Sequence, residues 1–112
     1  MNINSEKFDQ HYLINLDGDL DASSCLLLDQ AIATGLEKGE KKILINCQKL
    51  NYISSAGLGV FMSYIQEFEN NNTDMVIYGL KDKVSNVFQI LGLDQLLKIV
   101  NTQEEAIEII RL

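Results

Sequence analysis

The sequence predicts an α/β fold, a mixed central β-sheet packed with about four α-helices, with residues 1–112 forming one domain. Three observations lead there. Apolar residues alternate in one stretch and run unbroken in others, the patterns of strands covered on one face and on both. Between those stretches apolar residues recur every three or four positions, the period of amphipathic helices. No proline, long Gly/Ser tract or charge block divides the chain, and 112 residues suit a single hydrophobic core.

The elements follow in order. Tyr12, Ile14 and Leu16 alternate with Leu13 and Asn15, which predicts a strand ended by Asp17-Gly18; Ile3 to Phe8 pairs with it as a hairpin through Asp9-Gln10. From Ala22 to Lys38, Cys25, Leu28, Ile32 and Leu36 fall on one helical stripe, and Gly39 supplies a left-handed stop. The run Ile43-Leu44-Ile45 behind two lysines predicts a central strand covered on both faces. A second helix places Leu58, Phe61, Met62, Ile65 and Phe68 on one stripe and stops in Asn70-Asn71-Asn72-Thr73. Met75 to Tyr78 is the next strand. Asp82 then caps a helix carrying Val84, Val87, Phe88 and Leu91, which ends at Gly92, before a short strand Leu97–Val100. Last, Thr102 and Glu105 stand three apart as a capping box ahead of Ala106, Ile109 and Ile110.

Composition excludes several functions. Nine Lys and Arg against sixteen Asp and Glu leave a net charge of −7, which opposes binding to nucleic acid or anionic lipid. No apolar run approaches the roughly 20 residues of a membrane helix, so no membrane insertion is expected. The amino terminus has neither the basic start nor the apolar core of a secretory signal, so a cytoplasmic location is expected. Cys25 and Cys47 both stand in apolar runs and read as buried thiols, not as a disulfide. His11, the sole histidine, opens a strand away from any acid or nucleophile and reads as a surface or edge residue. No nucleophile elbow, metal-ligand spacing, phosphate loop or dinucleotide fingerprint occurs, so no catalytic residue, metal or cofactor is expected, and the chain is not read as an enzyme. The carboxylates Asp19 and Asp21 are read as a turn in which Asp21 caps the helix beginning near Ala22.

The segment Leu50 to Val60 stands out. Ser54 and Ser55 sit where a buried strand gives way to a helix, and Gly57 and Gly59 follow in its first turns, where each costs about 1 kcal/mol of helix propensity. One serine suffices as an N-cap. The second serine and the two glycines call for another explanation: glycine lets a second backbone approach and leaves the hydroxyls uncovered.

Tyr52-Ile53-Ser54-Ser55-Ala56-Gly57-Leu58-Gly59-Val60 resembles the signature loop of STAS domains, specifically of bacterial anti-sigma factor antagonists. Gly18-Asp19-Leu20-Asp21, Ile43-Leu44-Ile45-Asn46 and Val87-Phe88-Gln89-Ile90-Leu91-Gly92-Leu93 resemble three further family segments, so the likeness spans nearly the whole chain. It implies that Ser55 is the phosphorylated serine. Two positions depart from the family: Ser54 stands where an Asp is usual, and Ala56 where a hydroxyl is usual.

The resemblance implies partner switching. The unmodified protein binds an anti-sigma factor that is also its serine kinase, phosphorylation of Ser55 ends the complex, and a Ser/Thr phosphatase restores the starting form. Asp21, Ser54, Ser55, Gly57, Leu58 and Met62 are the expected partner-binding residues. Two other readings share the fold: a switch in a signalling circuit outside sigma control, and an accessory subunit that docks on a lipid-transport ATPase without phosphorylation.

Overall fold

The computed structural model describes residues 1–111. Strands β1 (Asn2–Phe8) and β2 (His11–Leu20) form the expected hairpin, in register from Asn2 opposite Asp17 to Phe8 opposite His11. Asp9 takes the turn with φ 57°, a left-handed conformation that Asp tolerates. Next come α1 (Cys25–Glu37), β3 (Lys42–Ile53), α2 (Ser55–Ser63), α3 (Ile65–Asn70), β4 (Asp74–Tyr78), α4 (Asp82–Ile90), β5 (Lys98–Val100) and α5 (Gln103–Arg111). A 3-10 turn, Leu93–Gln95, precedes β5.

The sheet order is β1-β2-β3-β4-β5, with β1 antiparallel to β2 and the other pairs parallel. Parallel crossovers are right-handed, so successive steps in one direction bring α1 to α4 onto one face. There Leu28, Ile32, Leu58, Phe61, Phe68, Val84 and Phe88 pack on Tyr12, Ile14, Ile43, Ile45 and Ile77. On the other face α5 lays Ala106 and Ile110 over Leu13, Leu44, Val76 and Tyr78. The unbroken run in β3 is thereby buried on both sides, as its pattern requires. Half of the capping box forms: the Glu105 amide donates to Thr102 Oγ1 at 3.2 Å, while Glu105 Oε1 accepts from the Thr102 hydroxyl at 3.1 Å and not from the Thr102 amide.

Several sequence expectations need correction. Asp17-Gly18 does not end β2. The strand continues to Leu20 through two register shifts, at each of which β3 carries one extra residue: Asn15 pairs Asn46 but Asp17 pairs Lys49, and Gly18 pairs Leu50 but Asp19 pairs Tyr52. Gly18 adopts φ +116° there, which an L side chain rarely accepts. Because each bulge reverses the side-chain alternation, Cys47, Leu50 and Ile53 all face the main core although they stand three apart. The helix expected from Ala22 begins at Cys25, after a turn, and Cys25 is only half-buried. The helix expected across Leu58 to Phe68 is broken at Tyr64, whose hydroxyl donates to Asp29 Oδ1 at 2.7 Å and ties the break to α1. Four helical stretches thus appear, the second in two parts. Lys81, not Asp82, holds the N-cap position of α4, and Leu91 lies exposed beyond that helix. His11 is buried, 3% exposed, with its ring against Phe8. No helix of the described residues is long and apolar enough to cross a membrane.

Candidate functional site

β2 and β3 end side by side, with Leu20 paired to Ile53, and the chain leaves the sheet at the next residues, Asp21 and Ser54. The Ser54 amide donates to the Leu20 carbonyl at 2.9 Å, which holds the two exits together. Two helices therefore start at the carboxyl end of the parallel strands, where open α/β sheets place their sites.

The two serines have different duties. Ser54 is extended (φ −88°, ψ 169°); its Oγ accepts from the Gly57 amide at 3.2 Å and its carbonyl accepts from the Leu58 amide at 3.0 Å. It is the N-cap of α2. Ser55, the first helical residue, is exposed, and its hydroxyl makes no hydrogen bond among the described residues. The amides of Ser55 and Ala56 lie in the first turn, where no carbonyl of the helix can reach them. An oxygen on Ser55 thus stands in water at the positive end of a helix dipole, with cap duty already met by its neighbour.

Gly57 and Gly59 also differ. A Cβ on Gly57 would stand 2.9 Å from Leu20 Cδ2 and 3.0 Å from Ile53 Cγ1, so this glycine is what lets α2 seat on the ends of β2 and β3. A Cβ on Gly59 would meet nothing within 4 Å. The sequence reading assigned the close approach at Gly57 to a partner; the approach is internal. Leu58 is likewise buried in the core, whereas Met62 is 45% exposed and off the buried stripe expected of it.

Asp21 is exposed, and its Oδ1 accepts from the Ser23 amide (3.0 Å), the Ser23 hydroxyl (2.7 Å), the Ser24 amide (3.1 Å) and the Ser24 hydroxyl (3.0 Å). Those hydrogen bonds, the Ser23 and Ser24 hydroxyls first, hold its carboxyl below the ordinary carboxylate value. Asp21 therefore does cap, but what it caps is the turn that leads into α1. Cys47 is buried on the core side of β3, and burial pushes its thiol up to about 12, which leaves it chemically quiet. Among the described residues no group of three or more His, Cys, Asp or Glu side chains is placed to hold a metal ion.

Three exposed apolar residues near these two exits were not among the expected site residues. Leu26 (61% exposed) and Leu27 lie in the first turn of α1, and Tyr52 (52% exposed) stands near the end of β3. The signal was present: the apolar run Cys25 to Leu28 is longer than one helical stripe uses. The carboxyl end of the sheet thus presents an open hydroxyl, an uncrowded glycine, an ordered carboxylate and apolar side chains.

Comparisons with known proteins agree with this fold. The family model described as STAS domain matches residues 2–106. An anti-sigma-B factor antagonist of Staphylococcus aureus (strain NCTC 8325 / PS 47) is 26% identical over 99 residues, covering 88% of this chain and 92% of the relative. The crystal structure of an anti-sigma factor antagonist from Mycobacterium paratuberculosis superposes with a TM-score of 0.90 at 16% identity, over 99% of this chain and 94% of that one. The Bacillus cell fate determinant SpoIIAA in its phosphorylated form superposes with a TM-score of 0.71 at 25% identity, over 96% and 97%.

Proposed function

The chain belongs to the STAS domain family, and from that premise we propose that it is an anti-sigma factor antagonist that works by partner switching. In its unmodified form it binds an anti-sigma factor that is also a serine kinase. The kinase transfers the γ-phosphoryl group of ATP to Ser55 Oγ; the Oγ–P bond forms as the bond to ADP breaks and the hydroxyl proton leaves. The complex then parts, and a Ser/Thr phosphatase regenerates the binding form by hydrolysis. The protein acts in the cytoplasm as a binding module, and its own residues catalyse nothing.

One observation carries this reading: Ser54 caps α2, which leaves Ser55 exposed with no structural duty. A phosphate there gains from the first-turn amides and the helix dipole, so the fold accepts it. A partner packed closely over Ser55, Gly59 and Met62 does not, since phosphate brings about −1.5 to −2 charges and three strong acceptors that must keep their water. The names of the relatives support the same role: one is an anti-sigma-B factor antagonist, and another was solved in a phosphorylated form. Within this reading Asp21, Ser54, Ser55 and Met62 meet the partner directly, while Gly57 and Leu58 act from beneath by seating α2.

A pull-down from native extract with wild type and Ser55→Asp in parallel tests it, with intact masses read on the same samples. Wild type is expected to capture a small ATP-binding serine kinase that Ser55→Asp loses, and part of the wild type to carry phosphate on Ser55. Equal capture by both forms without phosphate would instead favour phosphorylation-independent docking, as in an accessory subunit of a lipid-transport ATPase. A phosphate-dependent partner other than an anti-sigma factor would move the switch to another signalling circuit.

A further inference from the structure

The amino end of the sheet, opposite Ser55 along β3, carries a second arrangement. His11 opens β2 beside Lys42, which opens β3, since the next residues Tyr12 and Ile43 are paired. The hairpin turn brings Asp9 and Gln10, and the end of α5 brings Ile107 and Arg111. These six residues line a recess of about 290 Å³.

Its charge runs against that of the chain. Only nine side chains are Lys or Arg, yet the sole arginine, one lysine and the sole histidine converge here, in a protein of net charge −7. Among the described residues neither Lys42 nor Arg111 takes part in an ion pair. His11 is buried with its ring 6.4 Å from that of Phe8, and its Nδ1 has no hydrogen-bond partner. A buried polar atom left unpaired is costly and uncommon; this one is shut off from solvent, so what His11 presents to the recess is the rest of its ring.

We propose that this recess binds a small phosphate-bearing anion. Arg111 offers a planar fork and Lys42 a point charge, the two ways in which proteins hold phosphate oxygens, and His11 adds a ring in the wall. The recess is at the lower limit of ligand-pocket volumes, which suits inorganic phosphate or a small phosphate monoester better than a whole nucleotide. Asp9, the one carboxylate of the lining among the described residues, opposes such a ligand and gives the proposal a sign that can be checked.

The test is a titration of the full chain with inorganic phosphate at constant ionic strength, followed by amide and imidazole NMR shifts, with chloride as the control. Saturable shifts at His11, Lys42 and Arg111 are expected, absent with chloride. Lys42→Gln and Arg111→Gln should each weaken binding about tenfold, as loss of one charge-assisted contact implies, and Asp9→Asn should tighten it severalfold. Glycerol phosphate in place of inorganic phosphate separates a monoester site, which binds it as well or better, from a site for the free anion. Shifts that do not saturate, or that chloride reproduces, overturn the proposal. So does weaker phosphate binding by Asp9→Asn, a variant in an exposed turn that leaves the recess walls in place.

Discussion

The inner and outer faces of α2 are built from different residues of one short motif, and they do different work. Inward, Gly57 makes room for Leu20 and Ile53, and Leu58 fills the core. Outward, the Ser55 hydroxyl has no hydrogen bond among the described residues, Gly59 faces open space and Met62 is exposed. Ser54 sits between the faces and closes the helix end. The contrast teaches that a motif compact enough to read as one unit can divide cleanly into residues that hold the fold and residues that face outward.

Substitutions that respect or violate this division sharpen it. The largest effect on stability belongs to Gly57→Val: overpacking against Leu20 and Ile53 should cost about 1–3 kcal/mol in urea unfolding, and partner binding should fall only through that loss. Ser54→Ala removes the cap and should cost about 1 kcal/mol by the same measurement. Gly59→Ala should stabilise by about 0.5–1 kcal/mol, because a helical glycine with nothing near it gives up conformational entropy without return. Its partner affinity should nonetheless drop, and unchanged affinity would break the comparison at its outer face. The smallest effect concerns acid. The Asp21 carboxyl is lowered in the fold, so its contribution is complete above the ordinary value of 3.8 and is lost as pH falls through the lowered one. Asp21→Asn should therefore lose less stability than wild type over that acid range, as read by thermal midpoints.

Much of this was legible in the residues. The unbroken run in β3 and the cap at Thr102 each express a local rule that the tertiary structure leaves intact, whereas β2, whose alternation suggested one covered face, is also covered on the other, where Leu13 lies in the core under α5. The extension of β2 and β3 was hidden because bulges convert a two-residue period into the three-residue spacing of Cys47, Leu50 and Ile53, which matches neither strand nor helix. At the candidate site, the start of α2 and the pair of serines could be read. The separate roles of the glycines could not, since what a Cβ would strike depends on Leu20, a residue distant in sequence. Met62 stands four residues after Leu58, but the buried face of α2 is centred on Gly57, Leu58 and Phe61, and that leaves Met62 at its exposed edge. His11 reads as an edge residue until α5 and Phe8 close around it.

The central claim is that Ser55 can change its charge without cost to the fold and at great cost to the complex. The measurement that bears on it most directly compares the chain with and without phosphate on Ser55, recording thermal midpoint and calorimetric affinity for the captured kinase on the same two samples. The account predicts midpoints within a few degrees, about the shift that 1 kcal/mol produces in a chain of this size, together with affinity reduced about 100-fold or more. Equal affinities, or a phosphorylated chain that unfolds, would contradict it.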